Sequence, residues 1–386
     1  MKHKFLGGAQ LDNGDIYAIP SHSDSALYIS PSTSTVTRFG GPFTPDYKFK
    51  WLRAIPTPSS DYIIGIPCWA NSILKICTST QTSHTFGNSD LSKLCPPSVK
   101  RWRWHGGQYA SSTGYMYAVP ANAPRVLKIH PYLETCECIG PSFEGSQKWY
   151  GGIKSKRDHI YCVPYGHTKV LKIEPEADTA RLIGPDLTTV SDKGTEGFGW
   201  HGGIYSERKD AVYAFPAHGT GVLKIDCGSD SVKILGEGSL PNSEYKWLGG
   251  GASGSGVIYG VPSDTDKVLR VDPETDSVRV LEAKGLFSEG YQRKNKFQGA
   301  ILGDDGCLYA IPSDEEFVLK IDCENGDAIS KIEGFTKPGT KDKFQGAGVG
   351  DGNIYLIPEN YHTPVCIHLE EGRIEELYEG VDGGMQ

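Results

Sequence analysis

A proline that closes a short apolar stretch recurs eight times, at Pro20, Pro67, Pro120, Pro164, Pro216, Pro262, Pro312 and Pro358. Self-similarity at a period near fifty residues constrains a fold more tightly than any local propensity, because each copy must solve the same packing problem. In seven copies the proline follows a Tyr-x-aliphatic pattern, as in Tyr17-Ala18-Ile19 and Tyr309-Ala310-Ile311, and the second copy has Ile64-Gly65-Ile66 instead. Upstream, an aromatic is followed two residues later by a pair of small residues, as in Trp104-His105-Gly106-Gly107 and Trp247-Leu248-Gly249-Gly250. Downstream runs an apolar strand such as Val126-Leu127-Lys128-Ile129, then a weaker one ending near glycine, such as Ala180-Arg181-Leu182-Ile183-Gly184.

Four short strands per repeat make one propeller blade. Asp12-Asn13-Gly14, Asp304-Asp305-Gly306 and Asp351-Gly352 fall between the first two strands and suit hairpin turns. A sheet this small cannot bury both faces alone, and stacking repeats does so. The expectation is an all-β, eight-bladed β-propeller of four-stranded antiparallel blades, one domain over 1–386. Its blades run approximately 4–47, 48–100, 101–147, 148–198, 199–244, 245–294, 295–341 and 342–386. The last repeat supplies its own outer strand, near Leu377-Tyr378, so no strand is exchanged between the ends. The repeated aromatics, Phe5, Trp51, Trp104, Trp149, Trp200, Trp247, Phe297 and Phe344, are expected to wedge between blades.

Composition agrees, since 48 Gly, 24 Pro and 10% aromatic residues suit short strands, frequent turns and large packing side chains. A net charge of −8 argues against general affinity for nucleic acid. No apolar run approaches the roughly 20 residues of a membrane span, so no membrane insertion is expected. The first repeat opens at Lys4-Phe5-Leu6-Gly7-Gly8, which leaves no room for a signal peptide, and the ten cysteines do not recur at a common repeat position. Reduced thiols in a cytoplasmic protein are expected.

The Lys-Trp-x-Gly-Gly, Ile-Tyr-x-Ile-Pro and Val-Leu-Lys-Ile-Asp-Pro patterns resemble propeller repeats of uncharacterised protist and bacterial proteins. More distantly they are similar to virginiamycin B lyase-like and SMP-30-like propellers. The resemblance covers Lys4 to about Gly380 and implies the fold. The acidic and Asn metal ligands expected of SMP-30-like lactonases have no position-by-position match in this repeat.

Two residue sets are expected to meet at one rim of the channel. The first precedes the repeated aromatic: Lys4, Lys50, Arg103, Lys148, Lys246, Lys296 and Lys343, with Gly199 in the fifth blade. The second is the loop after each proline, with His22, His167, His218 and His362 and the acids Asp264, Asp266, Asp314, Glu315 and Glu316. The cations can form an electropositive ring for an anionic ligand, or their stems can cover the aromatics while the ammonium groups stay in water. The residue after the aromatic varies, and His105 and His201 there can present imidazoles to the channel mouth, with His167 and His218 nearby. Such a cluster has the chemistry of a general base or a metal ligand, although no metal site and no cofactor is expected. Gly249-x-Gly251-x-x-Gly254 runs into a strand and not a helix, so it is a loop and no dinucleotide fingerprint. No nucleophile elbow, zinc motif or phosphate loop occurs.

The sequence reading is therefore a non-enzymatic binding or scaffold propeller whose partner is another protein or an anionic ligand. One alternative is a lyase or hydrolase at the channel mouth with His105 or His201 as base. The other is a structural subunit of a larger assembly.

Overall fold

The structure is a computed structural model describing residues 1–43, 48–95, 98–99, 101–187, 198–283, 285–287 and 293–380. It is all-β, a β-propeller of eight four-stranded antiparallel blades, and every sheet is built from four strands consecutive in the chain. The first blade is Phe5–Gln10, Ile16–Pro20, Ala26–Ser30 and Thr35–Phe39, and the last is Phe344–Gly350, Asn353–Pro358, Val365–His368 and Arg373–Glu376. Among the described residues neither end lends a strand to the other. The chain divides into two compact units, residues 1–183 with 378–386, and residues 184–377. Each unit holds four blades.

The repeat explains the local structure. In every blade the pairing of first and second strands carries a register shift near the small-residue pair, between Trp149 and Gly152 for example. Gly7, Gly106, Gly151, Gly202 and Gly346 take φ between 62° and 102° at these irregularities, a left-handed conformation that glycine adopts without a Cβ penalty. The second strands are buried on both faces and read as near-continuous apolar runs.

All eight repeated aromatics are at most 2% exposed. Within each unit they join buried clusters with the preceding blade: Trp149 with Tyr117, Val119 and Val126, and Trp247 with Tyr213, Phe215 and Val222. The five tryptophans also do a polar job, because each indole Nε1–H donates to the carbonyl at or just before the start of its own third strand. The acceptors are Ser72, Arg125, Lys169, Gly221 and Lys267, at 2.7–2.9 Å.

A second inter-blade device uses the tyrosine before the proline and the cation of the third strand. Tyr117 and Lys128 both bond Asp178 in the outer turn of the next blade, with Lys128 Nζ 2.6 Å from Oδ2. Tyr213 and Lys224 hold Asp276 in the same way, each at 2.8 Å, and Tyr259 with Arg270 hold Asp327. The three acids sit at φ 50–62°, where Asp is better tolerated than most residues. A short helix, Asn88–Leu94, lies between the second and third blades and buries only Leu91.

Candidate ligand-binding rim

Each blade turns one end toward a rim built on two residues. One is the residue before the repeated cation, and the other is the second residue after the repeated proline. Their main chains are joined, with the N–H of the second donating to the carbonyl of the first: His22 to His3, Trp69 to Phe49, Asn122 to Trp102, Gly166 to Gln147, His218 to Phe198, Asp264 to Tyr245, Asp314 to Asn295 and Asn360 to Asp342, at 2.8–3.0 Å. His3, Phe49, Trp102, Gln147, Tyr245, Asn295 and Asp342 all sit at φ between 46° and 54°. The turn is thus fixed by backbone geometry, and its side chains are left to vary.

The repeated cations lie directly beneath. Lys4, Lys50, Arg103, Lys148, Lys246, Lys296 and Lys343 are all buried, the lysines at 5% exposure or less. Their ammonium groups do not stay in water over the aromatics. Lys50 Nζ donates to the Ser23 carbonyl at 2.8 Å, and Lys148 Nζ donates to those of Ala121 and Ala123, both at 3.0 Å. Lys296 Nζ reaches the carbonyls of Ser263, Asp264 and Thr265 and pairs with Asp266 at 3.0 Å. Lys343 bonds the Asp314 carbonyl and Glu316, and Lys246 the Ser243 carbonyl at 2.9 Å. Arg103 donates to the carbonyls of Ala70 and Val99 and to Asn71 Oδ1. Most of these acceptors belong to the preceding blade's post-proline loop, so the cations tie one blade to the next. Burial lowers the pKa of Lys50 and of Lys148 to about 8.

The histidines expected at the rim take separate positions. In the first unit, His105 is buried and stacks on Tyr150 at 4.0 Å between centroids, and Tyr150 stacks on Tyr165 at 4.2 Å. Burial pushes the Tyr150 hydroxyl up to about 12. His167 stacks on Trp149 at 4.6 Å, and its Nδ1 accepts the Lys169 N–H at 2.9 Å. In the second unit, His201 Nδ1–H donates to the Leu248 carbonyl at 2.6 Å. His218 meets Tyr245 edge-on at 4.4 Å.

The cluster that sequence reasoning missed occupies the rim of the first three blades. Phe49 lies 5.0 Å from Trp69 and 5.1 Å from Trp102, ring centre to ring centre. His22 packs edge-on against Phe49 at 4.5 Å, His3 lies 5.2 Å from Phe49, and the Arg101 guanidinium sits over Trp69 at 4.7 Å. Leu6, Leu52 and Cys68 form the buried floor under the tryptophans and Phe49. The rings themselves are half-buried. Two of their polar atoms, Trp69 Nε1–H and His22 Nε2, are buried with no hydrogen-bond partner among the described residues. Burial, with the charges of His3, Lys50 and Lys48, pulls the His22 pKa down to about 4. The sixth, seventh and third blades place Asp264, Asp314 and Asn122 at the same rim position. There the side chain accepts the next blade's rim N–H, from Asn295, Asp342 and Gln147 respectively, at 2.6–2.9 Å. The signal was available in the sequence: aligned in register, the residue before the cation reads His3, Phe49, Trp102 in succession.

No protein family matches the chain, and no curated protein matches it in sequence. Solved structures do match in fold. Virginiamycin B lyase from Staphylococcus aureus superposes with a TM-score of 0.56 at 9% identity, covering 93% of each chain. A streptogramin B lyase superposes at 0.54 and 11% identity, over 93% of this chain and 91% of that one. Hydrazine synthase from Kuenenia stuttgartiensis gives 0.54 and 11%, over 95% and 96%. At such identities the likeness is one of fold.

Proposed function

We propose that the chain is a non-enzymatic binding or scaffold module that captures a partner protein on the aromatic rim of its first unit. One observation carries this reading. Trp69 is a half-exposed indole in a cluster with Phe49, Trp102 and Arg101, and its Nε1–H has no partner among the described residues. The repeated tryptophans, by contrast, each spend that donor on a carbonyl. Tryptophan, phenylalanine and arginine are enriched at protein interfaces, and tryptophan and arginine carry much of the binding energy there. In this reading the seven repeated cations hold the rim loops, and the histidines His22 and His3 extend the aromatic surface. The ten cysteines are free thiols, which fits a reducing cytoplasmic setting.

The test is comparative capture from native extract. Wild type and a Trp69→Asn, Trp102→Asn double variant are immobilised, with Lys233→Gln on an outer strand as the control. The proposal expects one or more proteins retained by wild type and by the control and lost from the rim variant. Equal retention by all three would overturn it.

A further inference from the structure

The second repeat breaks the pattern at its most constrained position. Where the other blades place a glycine, the first strand of the second blade has Arg53, within Trp51–Pro56. Its φ is +67°, in the left-handed region that Gly7, Gly106, Gly151, Gly202 and Gly346 occupy in five of the other blades. A side chain held there is strained, and strain of this kind persists where the surrounding fold over-determines it, often at functional positions.

The surroundings of Arg53 point to a ligand. The arginine side chain spreads over the glycines of the two neighbouring first strands: its Cδ lies 3.4 Å from where a Cβ on Gly7 would stand, and its Cγ 3.5 Å from that of Gly106. A Cβ at either glycine would thus meet the arginine stem in ordinary van der Waals contact. Arg53 is accessible to solvent, yet it makes no hydrogen bond or ion pair among the described residues, unlike Arg103, which is fully engaged. Leu52, the adjacent residue, belongs to the floor under Phe49, Trp69 and Trp102.

We propose that Arg53 is a ligand-recognition residue that takes the carboxylate of a small organic acid. A guanidinium presents two parallel N–H donors that match a carboxylate, and one unpaired cation neutralises one negative charge, which suits a carboxylate better than a phosphate dianion. The inference rests on the binding reading above and specifies the chemistry that the same unit recognises.

The experiment follows the Arg53 guanidinium by NMR and the melting temperature during titration with benzoate, acetate, benzamide and inorganic phosphate. A peptide with a free C-terminal carboxylate and its amide form separate a free acid from a chain end. Variants are Arg53→Gly, which restores the repeat residue and relieves the strained φ, and Arg53→Lys. The expected result is saturable benzoate binding by wild type, absent for benzamide, at least about tenfold weaker in Arg53→Lys and lost in Arg53→Gly, which itself melts higher than wild type. Benzoate binding by Arg53→Gly equal to wild type, or no saturable binding of any carboxylate to wild type, overturns the proposal. Tighter binding of phosphate than of every carboxylate overturns it as well. Protein capture measured on Arg53→Gly keeps the two readings apart: retention there with no carboxylate binding in wild type sinks this inference and leaves the rim reading standing.

Discussion

The Lys148 ammonium donates to the Ala121 carbonyl at 3.0 Å, and the Lys148 backbone N–H donates to the same oxygen at 3.1 Å. One residue thus satisfies both lone pairs of a carbonyl in the preceding blade. Replacing it with methionine keeps the apolar stem and removes the charge-assisted donors to Ala121, Ala123 and Gly145. Lys148→Met should cost roughly 3 kcal/mol, the scale expected when buried acceptors lose a charged partner. Denaturant unfolding measures it, and a loss below about 1 kcal/mol would show the tie to be dispensable.

Trp247 is fully buried and its indole bonds the Lys267 carbonyl at 2.7 Å, whereas Trp69 and Trp102 are half-buried on the rim. Trp247→Ala should therefore cost about 3 to 5 kcal/mol and each rim substitution about 1 kcal/mol. Equal shifts in thermal unfolding for all three would mean the core and rim assignments are reversed.

Asp276 gives a pH signature. Burial works to raise its carboxyl, but the bonds from Lys224, Lys233 and Tyr213 overcome this and hold it at about 2. A carboxyl with a depressed native pKa contributes stability above its unfolded value near 4 and loses it as pH falls toward 2. Asp276→Asn should cost about 2 kcal/mol at neutral pH and close to nothing near pH 2. Unfolding of both proteins across pH 2–7 tests this, and a constant difference would contradict it.

His22 acts in the same direction but in a higher pH window. Its native pKa of about 4 lies below the ordinary 6.5, so the unfolded chain takes up the proton first as pH falls. Stability should decline from about pH 6.5 to 4 by this route, and His22→Phe should remove that part of the slope. An imidazole NMR midpoint near 6.5 for His22 would rule it out.

The fold was legible because each blade's strands are consecutive and its punctuation repeats: the Tyr-x-aliphatic-Pro and Val-Leu-Lys-Ile runs name the second and third strands in place. What was not legible depends on a partner 25 to 50 residues away, in a neighbouring blade. Lys128 looks like a solvated strand lysine until Asp178 of the next blade is seen against it. Lys148 and Lys296 look like snorkelling cover until the carbonyls of the preceding loop surround them. The Asn88–Leu94 helix escaped because it is two turns long and anchored by Leu91 alone, too short for a periodic signal. Phe49, Trp69 and Arg53 were hidden by attention to what the repeat preserves, although each stands where its own copy deviates.

The main-chain bond that joins His22 to His3, Trp69 to Phe49 and Asn360 to Asp342 is the same in all eight blades, whatever side chains flank it. The scaffold therefore behaves as a set of interchangeable sockets. An asparagine transplanted to position 49, or a tryptophan to position 360, would inherit a finished turn without disturbing the sheet beneath. Specificity can in this way drift, or be rewritten in the laboratory, one blade at a time and at little cost to foldability.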